Sequence, residues 1–138
     1  MEKYINEVIK MANKAKKKKE VPVGALIVLN GKIIAKAYNM KNKSKKVTRH
    51  AEIIAIEKAN KKFKTWRLDN CIIFVTLEPC MMCAGAIVES RIKKVYCLLK
   101  RENECSIKWL RNNGVDVEFL EGDIKSLMLL KSFFAKKR

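Results

Sequence analysis

The chain has 138 residues, a length typical of one domain, and 49% of them are hydrophobic, which is enough for one buried core. The 31 Lys and Arg residues outnumber the 14 acidic residues, so the formal net charge is +17. The 2 Pro and 5 Gly exclude collagen-like and Pro/Gly-rich disordered chains, and no apolar run approaches the roughly 18 residues of a membrane span. We therefore expect a single domain over residues 1–138.

The charge and the cysteines limit the possible partners and compartments. A net charge of +17 attracts polyanions, which favours nucleic acid as a partner, with a solvated lysine surface as the alternative. The first residues show no basic segment followed by an apolar one, so we expect no signal peptide, no membrane partner and a cytoplasmic protein. Without an export signal, an odd number of cysteines, 5, indicates reduced thiols rather than a disulfide framework.

The predicted elements begin with a helix over residues 3–19, where apolar side chains recur at helical spacing and a lysine cluster follows. Residues 24–29 and 32–38 are β-type runs, and Asn30-Gly31 between them is a strong hairpin signal. The remaining elements are, in chain order, a lysine-rich loop (41–46), a helix with Thr48 as its N-cap (49–60), a buried strand (71–77), a helix with Pro79 near its start (80–89), a strand (94–99), a short helix (106–112), a strand (115–120) and a last helix (123–135). This alternation predicts an α/β sandwich around one mostly buried sheet.

One set of residues carries chemistry. His50 is the single histidine of the chain, and Cys80 and Cys83 follow about thirty residues later. Imidazole and thiolates are preferred ligands of Zn²⁺, and two cysteines at i and i+3 share a helix face and can reach one ion. Three protein ligands leave a fourth tetrahedral position open, as in a catalytic zinc site. Glu52 lies two residues beyond His50, so its carboxylate could move a proton without binding the metal.

Other interpretations of the cysteines remain open. Cys-x-x-Cys by itself also suits two core thiols or a redox pair. A structural zinc site would need a fourth ligand, for which Cys71, Cys97 and Cys105 are available. Cys71 and Cys97 lie in strand-like runs, however, and are more simply buried small apolar residues.

His-x-Glu followed by Pro-Cys-x-x-Cys is the known signature of zinc nucleobase deaminases. Here the sequence resembles the cytidine deaminase-like superfamily and, within it, the bacterial tRNA-specific adenosine deaminases. The resemblance extends over most of the chain, at residues 20–25, 38–39, 48–53, 66–68, 76–80, 82–86, 90–92 and 129–134.

The resemblance implies a three-layer α/β/α cytidine deaminase-like fold with a five-stranded mixed sheet. It implies a homodimer that holds a tRNA anticodon loop and converts wobble adenosine to inosine by hydrolysis. By analogy, His50, Cys80 and Cys83 bind one Zn²⁺ per subunit and Glu52 shuttles the proton. The side chain of Asn39 and the backbone N–H of Ala51 are the implied contacts to the base.

The chain departs from that family after the predicted strand 94–99. The tRNA deaminases usually carry an Asp, a Lys and a Gly-Ala-x-Gly-Ser stretch there, whereas residues 98–106 lead directly into a helix–Gly–strand pattern. This pattern is more similar to other deaminases, including riboflavin-pathway types. A small substrate (cytosine, cytidine, guanine or a pyrimidine intermediate) is therefore the alternative. A catalytically inactive RNA-binding subunit is a third interpretation, against which the intact Glu52 argues.

Two further features have open roles. Arg49 stands where a small residue is usual before the metal-binding histidine, and it could meet a phosphate or point to solvent. Phe133, Phe134 and residues 136–138 could form an RNA-contacting tail, although at least one of the two rings is expected in the core.

Overall fold

The computed structural model describes residues 1–101, 106–122 and 130–132. The described residues form five helices and five strands, and residues 130–132 are also helical. In chain order the elements are α1 (Glu2–Lys17), β1 (Gly24–Leu29), β2 (Lys32–Tyr38), α2 (Lys41–Ser44), α3 (Ala51–Phe63), β3 (Ile72–Leu77), α4 (Met81–Glu89), β4 (Lys94–Leu99), α5 (Ser106–Asn112) and β5 (Asp116–Phe119).

The five strands form one mixed sheet in the order β2-β1-β3-β4-β5. β1 is antiparallel to both β2 and β3, whereas β3, β4 and β5 are parallel. β3 is central and nearly continuous in apolar residues because both of its faces are covered. The mixed five-stranded sheet expected from the sequence is thus confirmed.

The hairpin between β1 and β2 forms as its turn residues predict. Leu29 pairs with Lys32, which leaves a two-residue turn. Asn30 and Gly31 have φ angles of 50° and 77°, and positive φ at both positions is what a type I′ turn requires.

Helices cover both faces of the sheet, which gives three layers. On one face α1 packs on the sheet through a cluster of Ile5, Val8, Ile9, Met11, Leu26, Val28, Phe74 and Leu98. On the other face α3 and α4 bury residues such as Ile54, Ala55, Ala84 and Ile87 against Ile27, Ile73, Val75 and Val95. The α/β/α architecture is confirmed.

The structure corrects two predicted boundaries near the site. The segment expected as a loop over residues 41–46 begins with the short helix α2. Thr48 is not an N-cap, because α3 begins at Ala51 with extended His50 as its N-cap. The backbone of Met40 donates to the carbonyl oxygen of Arg49 at 2.9 Å, which ties this segment to the end of the hairpin and delays the helix.

The helix predicted over residues 80–89 likewise begins one residue late. Cys80 is its N-cap in an extended conformation, and Met81 is the first helical residue. Of the helix predicted over residues 123–135, only residues 130–132 are described, and Leu130 is buried there. Cys105, Phe133, Phe134 and residues 136–138 lie outside the described residues.

Among the described residues, no helix combines the length and the apolar character needed to cross a membrane.

A close approach between α1 and β1 makes Gly24 the most constrained glycine of the described chain. A Cβ at Gly24 would lie 2.5 Å from the carbonyl oxygen of Val8 and 2.8 Å from the backbone nitrogen of Ala12. Both atoms belong to a helix backbone, so the helix itself would have to shift. At Gly85 in α4, by contrast, an added Cβ meets nothing within 4 Å.

We expect Gly24→Ala to destabilise the protein by about 1–3 kcal/mol, the usual cost of overpacking. Gly85→Ala should raise stability by roughly 0.5–1 kcal/mol, because alanine replaces glycine inside a helix. Urea unfolding of the two variants checks both signs. Equal midpoints for the two variants would contradict the close packing of α1 on β1.

Candidate metal centre

Two helix N-termini meet beyond the end of the central strand. β3 ends at Leu77, and the chain passes through Glu78 and Pro79 to Cys80, the N-cap of α4. His50 is the N-cap of α3, which packs beside α4 on the same face of the sheet. The first N–H groups of a helix lack partners within the helix and favour negative charge, so the junction suits thiolates and a carboxylate.

The three predicted metal ligands converge at this junction. Nδ1 of His50 lies 3.7 Å from Sγ of Cys80 and 3.5 Å from Sγ of Cys83. The three ligand atoms all lie within 4.8 Å of one another, and no other such cluster of His, Cys, Asp or Glu occurs in the described part of the chain. Cys80 and Cys83 occupy the N-cap and third positions of α4, so the first turn of that helix presents both sulfurs to His50.

The surroundings favour a thiolate at Cys80. A hydrogen bond from the Cys83 thiol, together with the hydrogen bond and charge of His50, lowers the pKa of Cys80 to about 3. The hydrogen bond that Cys83 donates to Cys80 raises the pKa of Cys83. Burial raises it further, because a second negative charge is disfavoured there. The hydrogen bond to Cys80 raises the pKa of His50. A cation between the sulfurs would relieve their mutual repulsion, so the donor set fits a metal that prefers nitrogen and sulfur ligands.

Glu52 lies in the first turn of α3, two residues from His50, and is only 2% exposed. Burial raises the pKa of its carboxyl group. Its Oε1 is the single buried side-chain oxygen or nitrogen among the described residues that lacks a hydrogen-bond partner. A buried carboxylate oxygen without a partner is costly, so its presence beside the ligand cluster indicates a site built for a bound molecule.

The predicted base contacts lie on the elements that flank the cluster. Ala51 is fully buried as the first residue of α3, and its N–H belongs to the helix end that has no internal acceptor. Asn39 is buried just after β2, and its Nδ2 donates to Oε1 of Glu20 at 3.4 Å.

Two buried glutamates that support the site were not singled out from the sequence. Glu20 is 2% exposed, and its carboxylate also accepts the backbone N–H groups of Asn42 at 2.9 Å and Lys43 at 2.7 Å. Glu20 thereby orients the Asn39 amide and fixes the start of α2. The signal for it was a glutamate directly before the Val-Pro-Val-Gly segment that leads into β1.

Glu78 is 1% exposed and joins β3, β4 and α5. Its Oε1 accepts the backbone N–H of Arg101 at 3.2 Å, and its Oε2 accepts the hydroxyl of Ser106 at 3.2 Å. Its carbonyl oxygen accepts Nε of Arg101 at 2.7 Å. The segment after β4, in which the sequence departs from the tRNA deaminases, is thus attached to the residue two positions before Cys80.

The structure also shows the contacts of three residues whose roles the sequence left open. Arg49 forms an ion pair with Glu57 on α3. Cys71 and Cys97 are buried and lie outside the ligand cluster, and burial raises the pKa of each thiol. Their prediction as small core residues is confirmed.

The chain matches the family model of the cytidine and deoxycytidylate deaminase zinc-binding region over residues 1–99. A tRNA-specific adenosine deaminase of Bacillus subtilis is 51% identical over 94 residues, which are 68% of this chain and 58% of that protein. The chain therefore spans less than two thirds of the length of that relative. The expected resemblance is confirmed, and the expected cofactor, Zn²⁺, agrees with the zinc-binding family.

Solved structures share the fold. One comes from studies of A-to-I editing by tRNA:A34 deaminases at the wobble position of transfer RNA. Its TM-score is 0.77 at 32% identity, with 84% of this chain and 95% of that chain covered. A diaminohydroxyphosphoribosylaminopyrimidine deaminase/5-amino-6-(5-phosphoribosylamino)uracil reductase of Thermotoga maritima has a TM-score of 0.76 at 32% identity. That match covers 98% of this chain and 42% of the other chain.

The ligand cluster predicts how the cysteines differ in metal binding. Cys83→Ala should lose stoichiometric zinc and unfold at a lower temperature, because a metal that joins two helices also stabilises the fold. Cys71→Ala is the matched control, since Cys71 is buried but lies outside the cluster. Elemental analysis and thermal unfolding of both variants test this. Full zinc content in Cys83→Ala would exclude the assigned ligand set.

The contacts of Glu78 predict a stability effect. Glu78→Ala removes the acceptor of Arg101 N–H and of the Ser106 hydroxyl, and we expect a loss of about 1–3 kcal/mol. Glu89→Ala, on the exposed end of α4, should change stability by less than roughly 0.5 kcal/mol. Urea denaturation measures both, and similar small effects would show that the Glu78 contacts contribute nothing.

Proposed function

Since the chain belongs to the cytidine and deoxycytidylate deaminase zinc-binding family, we propose that it catalyses the zinc-dependent hydrolytic deamination of adenosine to inosine at the wobble position of tRNA. One observation supports this reaction above the others. A buried glutamate oxygen without a partner, Oε1 of Glu52, lies in the same helical turn that begins at the metal-ligating His50.

His50, Cys80 and Cys83 are the proposed ligands of one Zn²⁺ per subunit. Their nitrogen and two sulfurs match the preferences of zinc, and three protein ligands would leave room for a water molecule on the metal. When bound in such a site, Zn²⁺ lowers the pKa of water towards neutrality and makes it a nucleophile at physiological pH.

Glu52 is the proposed general acid and base. In the overall reaction one water is consumed, a C6–O bond forms, the C6–N6 bond breaks and ammonia leaves. The carboxylate of Glu52 accepts the first proton of the attacking water and delivers it to N1 of the adenine ring. It then transfers the second proton, from the new C6 hydroxyl, to the amine that leaves as ammonia. Burial raises the pKa of this carboxyl group, which makes Glu52 a better base than an exposed glutamate.

Asn39 and Ala51 are the proposed contacts to the base. Glu20 holds the amide of Asn39 in place, and the N–H of Ala51 points out of the first turn of α3. A base inside an RNA loop must be splayed out to reach such a buried site. These two groups would hold its edge while Glu52 moves the proton.

The proposed partners are the tRNA anticodon loop and a second copy of the chain in a homodimer. The net charge of +17 favours an RNA substrate over a small neutral one, because phosphate contacts release counterions. The named activity of the Bacillus relative supports the same substrate. Such a substrate would place the protein in the cytoplasm.

Deamination of a small pyrimidine is the second candidate function. It is favoured by the region beyond residue 99, where the Thermotoga deaminase matches the helix–Gly–strand segment of α5 and β5. A small substrate offers at most a few phosphate contacts, so added salt should change its turnover little, whereas activity on RNA should fall steeply.

We expect the zinc-loaded protein to form inosine at the wobble adenosine of an arginine tRNA anticodon stem-loop. Glu52→Ala should keep its zinc and lose at least about 10²-fold in rate, because the acid and base is removed while all ligands remain. Nucleoside analysis of the digested RNA and zinc analysis of both proteins provide the measurement.

Two other outcomes carry information. Zinc loss in Glu52→Ala would make Glu52 a ligand or a structural residue instead of a base. Stoichiometric zinc with unmodified RNA would exclude the tRNA proposal, and ammonia release from free bases, nucleosides and pyrimidine nucleotides would then test the second candidate.

A further inference from the structure

Two lysine-rich segments that are separate in the sequence lie together in the fold. The first is the end of α1 with the residues after it, and the second is α2 with the residues after it. Together they form the lysine corner, which consists of Lys14, Lys16, Lys17, Lys18, Lys19, Lys41, Lys43, Lys45 and Lys46. All nine of these side chains are exposed.

Named contacts hold the two segments against each other. The carboxylate of Glu20 accepts the backbone N–H groups of Asn42 at 2.9 Å and Lys43 at 2.7 Å. Nδ2 of Asn42 donates to the carbonyl oxygen of Lys19 at 3.5 Å. Nζ of Lys18 lies 5.3 Å from the centre of the Tyr38 ring. Lys18 lowers the pKa of the Tyr38 hydroxyl through a hydrogen bond, and the charges of Lys43 and Lys14 lower it further, so the charges of all three lysines act on this hydroxyl.

The lysine corner has little negative charge of its own. None of its lysines forms an ion pair within 4.0 Å with an acidic residue in the described ranges of the chain. Glu20 is the carboxylate at its centre, but it is 2% exposed and is directed at backbone N–H groups. The dipole of α1 favours lysines in its last turn, yet it does not account for the lysines of α2.

The lysine corner borders the candidate site. Tyr38, at its centre, is followed by Asn39, a proposed contact to the base. The backbone N–H of Met40 donates to the carbonyl oxygen of Arg49, the residue before His50. A nucleotide whose base enters the site would therefore have its neighbouring phosphates close to these lysines.

We propose that the lysine corner binds the phosphodiester backbone of the single-stranded RNA next to the base that is deaminated. Lysine ammonium groups are compact charges that suit phosphates without reading sequence. The corner thus supplies affinity, while the zinc site and its base contacts select the nucleotide. For its ligand this inference rests on the proposed function, but it concerns a surface separate from the catalytic residues.

The test uses a corner variant, Lys14→Gln/Lys18→Gln/Lys43→Gln, which neutralises the three lysines whose charges act on the Tyr38 hydroxyl. The matched control, Lys61→Gln/Lys62→Gln/Lys64→Gln, removes three exposed charges at the other end of α3, about 15 Å along the helix axis from Ala51. A third variant, Lys14→Arg/Lys18→Arg/Lys43→Arg, keeps the charge. Each is made with Glu52→Ala, so that the affinity for the anticodon stem-loop is measured without turnover over a series of salt concentrations.

We expect the dependence of log Kd on log salt to become shallower by about 2 in the corner variant, since each contact to a single strand contributes about 0.7. At low salt the affinity of the corner variant should fall by about tenfold or more. The control and the arginine variant should bind like the parent, which is the protein with Glu52→Ala alone. Equal losses in the corner variant and the control would overturn the proposal and show a general charge effect. Failure of the parent to bind the RNA would overturn it as well.

Activity separates this inference from the proposed function. If RNA binding depends on the lysine corner but the wild-type protein forms no inosine, the RNA-binding role of the corner is supported and the proposed deamination of tRNA is excluded. The wild-type protein and the corner variant are also compared with Glu52 intact. If both form inosine with the same KM, the proposed activity is supported and the RNA-binding role of the lysine corner is overturned. Thermal unfolding of all variants confirms that each is folded, and the exposure of the lysines makes a folding defect unexpected.

Discussion

The meeting of two helix N-termini at the end of the buried strand β3 is the constraint on which the site depends. Cys80 can approach His50 because α3 and α4 both pack on one face of the sheet and begin at the same edge. Each helix begins after an extended N-cap residue, His50 for α3 and Cys80 for α4. The unpaired N–H groups of the first turns then favour the negative charge that metal-ligating thiolates bring.

Three buried glutamates surround this junction, and their hydrogen bonds separate their roles. Glu20 and Glu78 are each surrounded by donors, and each joins segments that are distant in sequence. Glu52 is equally buried, yet its Oε1 has no partner among the described residues. A carboxylate whose oxygens are all satisfied contributes to structure, whereas one with a free oxygen retains the capacity to exchange a proton.

Local patterns in the sequence predicted most elements, because these depend on short spacings and on apolar periodicity. They also singled out His50, Cys80 and Cys83, which the structure brings together, whereas the role of Glu52 as proton carrier stays a prediction. The start of α3 was predicted wrongly, because a hydrogen bond from Met40 to Arg49, nine residues later, holds the segment before it. The supporting roles of Glu20 and Glu78 were not predictable either. Glutamate is usually exposed, and the donors that permit its burial come from residues 22 to 28 positions away. The lysine corner depends on the same long-range contacts.

In the proposed function, reaction and substrate are determined in different parts of the fold. The proposed ligands and Glu52 lie at the first turns of two helices, which the sheet and the core hold in place. Two outer segments border that junction. The lysine corner lies on one side of the site. The segment after β4 lies on another side, where Arg101 is hydrogen-bonded to Glu78. Changes in these outer segments can alter what reaches the candidate metal centre, because the packing of α3 and α4 on the sheet, and not the outer segments, holds the proposed ligands in place. The same zinc chemistry can therefore serve RNA loops or small bases, depending on which groups the outer segments present.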